Sequence, residues 1–327
     1  MLSHKESLNT PFLTWIHKNK LLKSKRLKNM EMIVFALSGN EDLTKKIARH
    51  LKAEKGEATI RQFPDGESYV QIHSEVKDKC VVMVCTLHEP DTKLLPLYFL
   101  SKTAKELGAA CTCLVAPYLA YMRQDKQFNP GEGITSTYFA ELISGFAETL
   151  TTVDPHLHRR SSLSEIYTVP NKLIHAASHI SKWVSDNIEK PVFIGPDSES
   201  EQWVSQVAEE AGAPFTVLEK VRHGDRDVEV SVPDVAKYKD HTPVLVDDII
   251  STARTMIETV GHLKKAGMHP PVCVGVHAVF AGSAYADLKN AGVQQVVTCN
   301  TIPHESNQID LSDILAKEIN QLMKHHA

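Results

Sequence analysis

The stretch from residue 243 to residue 255 constrains the fold more than any other part of this 327-residue chain. It begins with four apolar residues, Pro243 to Val246, which predict a buried parallel strand. Two acids follow, Asp247 and Asp248, and then a loop of mostly small residues. Helical spacing of apolar residues resumes from Thr255, at Met256, Ile257, Val260 and Leu263. The sequence therefore predicts a strand, loop and helix of an α/β sheet, with the acids at the carboxyl end of the strand, where such sheets bind ligands.

The acids and the loop together predict a site for a sugar phosphate. Adjacent carboxylates accept hydrogen bonds from sugar hydroxyls, and loop amides at a helix N-terminus suit a phosphate. The alternative is a solvated Asp-Asp turn. We disfavour that alternative because a pair of acids directly after an apolar strand has no packing purpose.

The segment from Val246 to Thr255 resembles the phosphoribosyl pyrophosphate motif of type I phosphoribosyltransferases and ribose-phosphate pyrophosphokinases. The resemblance implies that ribose 5-phosphate contacts the acids and the loop: Asp247, Asp248, Ser251, Thr252, Ala253, Arg254 and Thr255. The family's Thr-Gly-Gly-Thr is Thr-Ala-Arg-Thr in this chain. If the first glycine requires a positive φ, Ala253 carries roughly 1 to 2 kcal/mol of strain. Arg254 would add a cation near the phosphate.

Two further segments predict a nucleotide site. The turn Phe63 to Glu67 places an aromatic ring beside two carboxylates, which suits a purine and its sugar, although a Pro-Asp-Gly hairpin turn is the plain alternative. It resembles the adenine loop of ribose-phosphate pyrophosphokinases, which implies ATP contacts from Phe63, Asp65 and Glu67. Pro117 to Gln127 resembles the Pro-Tyr-x-x-Tyr-x-Arg-Gln-Asp segment of the same family. That resemblance implies ATP contacts from Arg123 and Gln124, with Asp125 in support, and phosphoribosyltransferases lack this segment.

Two loops resemble the magnesium-binding segments of the family. Asp154-Pro155-His156 matches its Asp-Leu-His pattern, which implies that His156 helps to hold the magnesium of ATP. A single loop histidine is otherwise a hydrogen-bonding residue, since Mg²⁺ prefers oxygen ligands. Gly195-Pro196-Asp197 resembles Ser-Pro-Asp, which implies that Asp197 contacts Mg²⁺ and ribose phosphate. We leave His158 unassigned and expect His175 and His179, four apart on a predicted helix, to lie at the surface.

Lys220 and Arg222 are the predicted catalytic residues. Their alternate spacing directs both cations to one side of an extended strand, although a solvated hairpin edge is the plain alternative. The resemblance decides between these alternatives, because the catalytic loop of the family starts with Lys-x-Arg at this point. The loop is short, and in this respect the chain is closer to archaeal-type members.

The alternation of strand and helix patterns predicts an α/β protein. The resemblance implies two tandem type I phosphoribosyltransferase-like domains with parallel sheets flanked by helices. We expect a basic N-terminal extension at residues 1–31, an ATP-side domain at residues 32–170 and a ribose 5-phosphate-side domain at residues 171–327. Motifs of the family occur from about residue 32 to the C-terminus.

Composition narrows the class of protein further. A hydrophobic content of 42% supports a large core, and neither an apolar run of about 18 residues nor a signal sequence is evident, so we expect a cytoplasmic protein. Residues 1 to 30 hold seven basic residues and one acid, which could suit nucleic acid or a membrane surface. We expect neither partner, because a dispensable extension explains the arm. The six cysteines lie in or beside apolar runs, and we expect reduced, buried thiols.

The resemblance implies that ATP and ribose 5-phosphate react, with Mg²⁺, to give AMP and 5-phosphoribosyl 1-diphosphate. No covalent nucleophile is needed, since such transfers depend on positioning and charge neutralisation. The alternatives are a non-catalytic regulatory homologue, a phosphoribosyltransferase, or an enzyme for another pentose phosphate. Retained Lys220 and Arg222 favour an enzyme. Family members assemble through their N-terminal halves, and we therefore expect a homo-oligomer.

Overall fold

The computed structural model describes residues 30–157, 159–195, 201–217, 219–223, 227–231 and 235–325. Within these ranges, no helix has the length and apolar character needed to cross a membrane. The predicted extension at residues 1–31 lies outside them except for its last two residues.

The first half of the chain contains eight strands: β1 (Met32–Ala36), β2 (Glu54–Lys55), β3 (Ala58–Gln62), β4 (Ser68–Ile72), β5 (Cys80–Val84), β6 (Cys111–Ala116), β7 (Thr149–Val153) and β8 (Asn171–Ile174). Six of them form a parallel sheet in the order β2-β1-β5-β6-β7-β8. Every residue of β5, β6 and β7 is buried, as expected for inner strands with both faces covered. The remaining two, β3 and β4, form an antiparallel hairpin.

The second half repeats this arrangement. Its strands are β9 (Pro191–Gly195), β10 (Phe215–Val217), β11 (Glu219–His223), β12 (Asp227–Ser231), β13 (Thr242–Ile250), β14 (Val272–Ala278), β15 (Gln295–Cys299) and β16 (Asn307–Ile309). The sheet order is β10-β9-β13-β14-β15-β16, and β11 pairs with β12 as a separate antiparallel hairpin. Each half is therefore a six-stranded parallel sheet with one hairpin inserted after its second strand, and the predicted α/β class is confirmed.

Helices connect the strands and cover the sheets. They are α1 (Glu41–Leu51), α2 (Asp91–Glu106), α3 (Thr135–Ser144), α4 (Ala177–Asn187), α5 (Glu201–Glu210), α6 (Arg254–Lys265), α7 (Ala284–Asn290) and α8 (Ser312–His325). The last helix, α8, packs against α1 and against β7 and β8 of the first sheet. Lys46 Nζ also lies 2.6 Å from Asp310 Oδ2, and Lys172 Nζ lies 2.9 Å from Glu318 Oε2. The C-terminus thus ties the two halves together.

Two features of the sheets differ from the sequence expectations. The first sheet continues past residue 170, because β8 pairs with β7. β13 extends beyond the predicted strand at residues 243–246, because its pairing with β14 continues as far as Ile250. Asp247 and Asp248 therefore lie within a strand and not after it.

The prediction that all cysteines are reduced is wrong for one pair. Cys80 and Cys111 form a disulfide. They are register partners at the first positions of β5 and β6, and their Cα atoms are 4.7 Å apart, which is within the range that a disulfide spans. Cys85, Cys113, Cys273 and Cys299 are buried free thiols, as predicted.

Candidate functional site

Asp247 and Asp248 lie where β13 loses one of its two neighbours. The pairing of β13 with β9 ends at Leu245, whereas its pairing with β14 continues past both acids. Within the described ranges, pairing with β9 therefore stops before the acids, and both residues are partly exposed. Asp248 N donates to Asp247 Oδ1 at 3.0 Å, which links the two residues. The sheet thus holds the two carboxylates at its carboxyl end, as a ligand site requires.

The loop after the acids enters α6 through a left-handed residue. Ala253 has φ 55° and ψ 8° and immediately precedes the first helical residue, Arg254. Ala253 therefore has the positive φ that causes strain in a residue other than glycine, and it stands where the family has glycine. Phe280 N donates to Ile250 O at 2.9 Å, and Ala281 N donates to Ser251 O at 3.1 Å. These bonds hold a loop whose helix begins without a side-chain cap, which suits an anion.

The two halves meet at His156 and Asp248. His156 Nδ1, in the loop after β7 of the first sheet, lies 2.7 Å from Asp248 Oδ2 of the second sheet. The His156 side chain is 26% exposed and that of Asp248 is 22% exposed, so a ligand can reach both. The residue predicted on the nucleotide side and the acid predicted on the ribose phosphate side are therefore in direct contact.

Two buried residues that the sequence analysis did not assign support this contact. His277 of β14 places Nε2 3.1 Å from Val153 O and 3.2 Å from Asp154 O, and its Nδ1 lies 2.9 Å from Thr301 Oγ1. Nε2–H donates to the two carbonyl oxygens, because a carbonyl oxygen can only accept, and burial lowers the pKa of His277. His277 thus fixes the start of the loop that carries His156.

Asp154 is buried and holds the same loop from the other side. Its Oδ2 accepts from Ala176 N at 2.9 Å, and its Oδ1 lies 2.9 Å from His175 Nδ1. This hydrogen bond raises the pKa of His175. His175 precedes α4 and does not lie on a helix as predicted, since the helix begins at Ala177. His179 is on α4, with Nε2 3.4 Å from Asp313 Oδ1.

The segment predicted to bind ATP follows β6. Gln124 accepts at Oε1 from Thr135 Oγ1 (2.9 Å), whereas Arg123 is exposed. The Asp125 side chain is only 5% exposed and forms an ion pair with Arg159 Nη1 at 3.0 Å, which agrees with a supporting role. Burial raises the pKa of Tyr118, the charge of Arg123 lowers it, and the charge of Asp248 raises it. Tyr118 therefore lies within electrostatic reach of both predicted substrate sites.

Phe63 lies at the tip of the first hairpin and is 39% exposed. The Arg61 guanidinium lies 4.6 Å from the centroid of its ring and 4.5 Å from that of Tyr69, and the Phe63 and Tyr69 rings meet edge to face at 5.7 Å. Phe63 N donates to Glu67 O at 2.7 Å, which closes the turn that carries Asp65 and Glu67. The aromatic ring is thus held in place at the surface by Arg61, a residue that the sequence analysis did not single out.

The catalytic prediction concerns the second hairpin. Lys220 pairs with Val230 and Arg222 pairs with Val228, so both residues lie in β11, the first strand of that hairpin. Asp197 and His158 lie outside the described residues. The role of Asp197 therefore stays a prediction, and His158 stays unassigned.

The nitrogen and oxygen atoms that the described part of the site offers as metal ligands are compatible with Mg²⁺. His156 Nδ1 lies 2.7 Å from Asp248 Oδ2, and a neutral ring that donates from Nδ1 has its lone pair on Nε2. Histidines that bind metals use this arrangement, in which a carboxylate orients the ring from behind. Asp247 and Asp248 also supply carboxylate oxygens, the ligand type that Mg²⁺ prefers.

Two sequence families match the chain. The N-terminal domain of ribose phosphate pyrophosphokinase matches residues 32–146, and the phosphoribosyl transferase domain matches residues 162–313. The first match covers β1 to β6, and the second covers the whole second sheet together with β8 of the first.

Similar full-length proteins are known. The ribose-phosphate pyrophosphokinase of Methanopyrus kandleri is 31% identical over 294 residues, which cover 89% of this chain and 99% of that protein. The one from Pyrococcus abyssi is 30% identical over 288 residues, covering 88% and 98%. A crystal structure of phosphoribosylpyrophosphate synthetase from Mycobacterium smegmatis has a TM-score of 0.77 at 24% identity, with 90% of this chain and 99% of that chain covered. The similarity to archaeal-type members and the two-domain fold are confirmed.

Proposed function

Because the chain belongs to the ribose-phosphate pyrophosphokinase family, we propose that it transfers the diphosphoryl group of ATP to the C1 hydroxyl of ribose 5-phosphate. The products are AMP and 5-phosphoribosyl 1-diphosphate. The observation that carries this proposal is the 2.7 Å contact between His156 Nδ1 and Asp248 Oδ2. It joins the nucleotide side of the first half to the sugar side of the second, and the transfer requires the two substrates to lie side by side.

Ribose 5-phosphate binds at the end of β13 in this proposal. The carboxylates of Asp247 and Asp248 accept hydrogen bonds from the ribose hydroxyls. Ser251, Thr252, Ala253, Arg254 and Thr255 surround the 5-phosphate, which receives hydrogen bonds from the amides at the start of α6. The absence of a side-chain cap on α6 supports this role, because a cap would compete with the phosphate for the same amides.

ATP binds to the first half. Phe63 stacks on the adenine, and Asp65 and Glu67 accept hydrogen bonds from the nucleoside. Arg123 and Gln124 donate to the nucleotide, and Asp125 supports them through its ion pair with Arg159. The exposure of Phe63 and Arg123 supports these assignments, since neither side chain is committed to the core.

Lys220 and Arg222 provide positive charge while the diphosphoryl group moves. The C1 hydroxyl attacks the β-phosphorus of ATP, AMP leaves, and the two cations stabilise the charge that develops on the transferred phosphates. Mg²⁺, held by His156 and Asp197, would neutralise phosphate charge when bound. Two residues of the second half orient His156 for this purpose. Asp248 contacts its ring directly, and His277 holds the start of the loop that carries it.

Each half of the chain has its own substrate in this proposal, and the chains assemble into a homo-oligomer. Residues 32–170 act on ATP, residues 171–327 act on ribose 5-phosphate, and the extension at residues 1–31 is dispensable for a cytoplasmic enzyme. Exposed apolar pairs four residues apart on α2 (Leu95, Phe99) and on α3 (Tyr138, Leu142) support a homo-oligomer formed through the first half. Light scattering at micromolar concentration should give a multiple of the 36.4 kDa chain mass. A monomer mass would contradict the assembly.

A product assay tests the reaction. The protein is incubated with Mg-ATP and ribose 5-phosphate, and phosphorus NMR follows the nucleotides and sugar phosphates. We expect AMP and 5-phosphoribosyl 1-diphosphate in equal amounts. ADP would indicate transfer of the γ-phosphoryl group alone and would contradict the proposal. Substrate binding without product would favour the regulatory homologue, and turnover with a different pentose phosphate alone would favour another substrate.

A further inference from the structure

Four sulfur atoms meet at the amino ends of β5 and β6, at the sheet edge opposite the site described above. The Sγ atoms of Cys80, Cys111 and Cys113 all lie within 4.8 Å of one another. Cys113 Sγ is 3.4 Å from Cys80 Sγ, and Met323 Sδ of α8 is 3.3 Å from Cys113 Sγ and 3.9 Å from Cys80 Sγ. Two strands and the last helix thus bring together three cysteines and one thioether.

The geometry follows from the register of the strands. Cys80 pairs with Cys111, and Cys113 is two residues further along β6 and points to the same face. All three cysteines and Met323 are buried in an apolar cluster that includes residues of the first sheet and of helices α1 and α8. Water is therefore excluded, which strengthens any charge interaction at this place.

We propose that, once the Cys80–Cys111 disulfide is reduced, these four sulfur atoms bind one soft d¹⁰ metal ion, and that the ion is Cu(I). An added phosphine reductant supplies two electrons to the disulfide and takes an oxygen atom from water to become its oxide, and the two sulfur atoms take up the two protons of that water. Binding of Cu(I) then displaces protons from the thiols. This site involves none of the residues assigned to ATP or ribose 5-phosphate.

The sulfur spacing suits such an ion. Metal–sulfur bonds of about 2.3 Å place neighbouring ligands of a three- or four-coordinate ion about 3.8 to 4 Å apart. The separations of 3.3 to 3.9 Å that involve Met323 and Cys113 are close to this range. Thioether and thiolate ligands together select Cu(I), whereas hard cations prefer oxygen.

A metal role explains the cluster better than disulfide exchange does. Cys113 lies near the disulfide, but burial raises the pKa of its thiol to about 12, and a protonated thiol is a poor nucleophile. A coordinating metal ion deprotonates the thiol directly.

The test is an anaerobic titration of the full-length, reduced protein with Cu(I), against a chromophoric chelator of known affinity. We expect one tightly bound ion per chain. Cys113→Ser should abolish that ion, and Met323→Leu, which keeps the side-chain volume and removes only the thioether, should weaken it about tenfold or more. Cys273→Ala, a buried cysteine of the other sheet, is the matched control and should leave the stoichiometry unchanged. X-ray absorption should show sulfur ligands alone.

Three outcomes would overturn the proposal. They are an equal Cu(I) stoichiometry in the native and Cys113→Ser proteins, tighter binding of Zn(II) than of Cu(I), and a nitrogen or oxygen ligand shell. Thermal unfolding of each variant without metal shows whether it folds. If Cys113→Ser does not fold, Met323→Leu decides, since an unchanged Cu(I) affinity in that variant contradicts the four-sulfur site.

Discussion

The two halves of the chain share one strand order, but the third strand of each sheet ends in different chemistry. In the first half, β5 stops at Val84, and beyond it the buried Thr86 donates from Oγ1 to Thr301 O of the other half at 2.7 Å. In the second half, β13 continues to Ile250 and presents two partly exposed acids, Asp247 and Asp248. The end of β5 thus helps to hold the two halves together, whereas the equivalent end of β13 presents groups that can bind a ligand. The fold sets the position, and the residues set the chemistry.

The inserted hairpins differ in a similar way. The β3–β4 hairpin carries the ring of Phe63, held by Arg61, beside two acids. The β11–β12 hairpin carries Lys220 and Arg222 in its first strand. An aromatic ring suits a nucleobase and cations suit phosphates. We therefore expect substitutions in the first hairpin to change ATP binding and those in the second to change turnover.

The largest expected effect is that of Lys220→Ala. Its cation is needed only while charge develops during transfer, whereas Asp248 and the loop at residues 251–255 hold ground-state ribose 5-phosphate. We predict a fall in kcat on the order of 10³-fold or more, with the KM for ribose 5-phosphate changed only modestly. Steady-state kinetics measures both quantities.

The control for this variant is Lys45→Ala, at an exposed lysine of α1. It removes the same charge and should leave kcat unchanged. Near-normal turnover of Lys220→Ala would remove the proposed difference between the hairpins and would favour the regulatory or alternative-substrate hypotheses.

Asp248→Ala should affect the binding of ribose 5-phosphate more than turnover, which is the reverse of Lys220→Ala. Hydrogen bonds to a charged group contribute about 1.5 to 3 kcal/mol, so the KM for ribose 5-phosphate should rise about 10- to 150-fold. Because Asp248 also contacts His156, kcat should fall as well. Thr86→Val, beyond the equivalent strand of the first half, should lower the melting temperature and leave this KM unchanged. An equal rise in KM for both variants would contradict the distinction between the two strand ends.

Sequence reasoning was sufficient where function and local pattern coincide. Asp247 and Asp248 come directly after the apolar residues 243–246, and the motif itself locates them and the loop to Thr255. The positive φ of Ala253 could also be anticipated, because glycine occupies that position in the family.

The contacts missed by the sequence analysis join distant parts of the chain. His277 reaches Val153 across 124 residues, and no local pattern encodes that pairing. The disulfide between Cys80 and Cys111 depends on the register of β5 against β6, which the spacing of two cysteines in sequence does not reveal. For the same reason, the strand pairing that extends β13 past the acids could not be predicted from its apolar run alone.

A smaller effect is expected from Arg61→Ala. The Arg61 guanidinium lies over Phe63 and Tyr69, and an exposed cation–π contact contributes about 0.5 to 1 kcal/mol, which is a two- to fivefold change. The KM for ATP should rise by this factor while kcat stays constant, and Phe63→Ala should raise it further. A fall in kcat without a change in KM would show that the first hairpin serves turnover, which contradicts its proposed difference from the second.

The smallest effect concerns the loop at residues 251–253, between β13 and α6, whose counterpart in the first half is the loop between β5 and α2 at residues 85–90. Ala253 is left-handed, so Ala253→Gly relieves roughly 1 to 2 kcal/mol of strain but costs about 0.5 to 1 kcal/mol in the entropy of the unfolded chain. The free energy of unfolding should therefore rise by up to about 1.5 kcal/mol. Ala266→Gly, at the other end of α6, is the matched control, because Ala266 has an ordinary φ of −76°. It should lower the free energy of unfolding by about 0.5 to 1 kcal/mol, since glycine there has the entropic cost and no strain to relieve. Urea denaturation of the two variants gives changes of opposite sign if the strain at residue 253 is real, and a loss of stability in both would show that the loop accommodates alanine without cost.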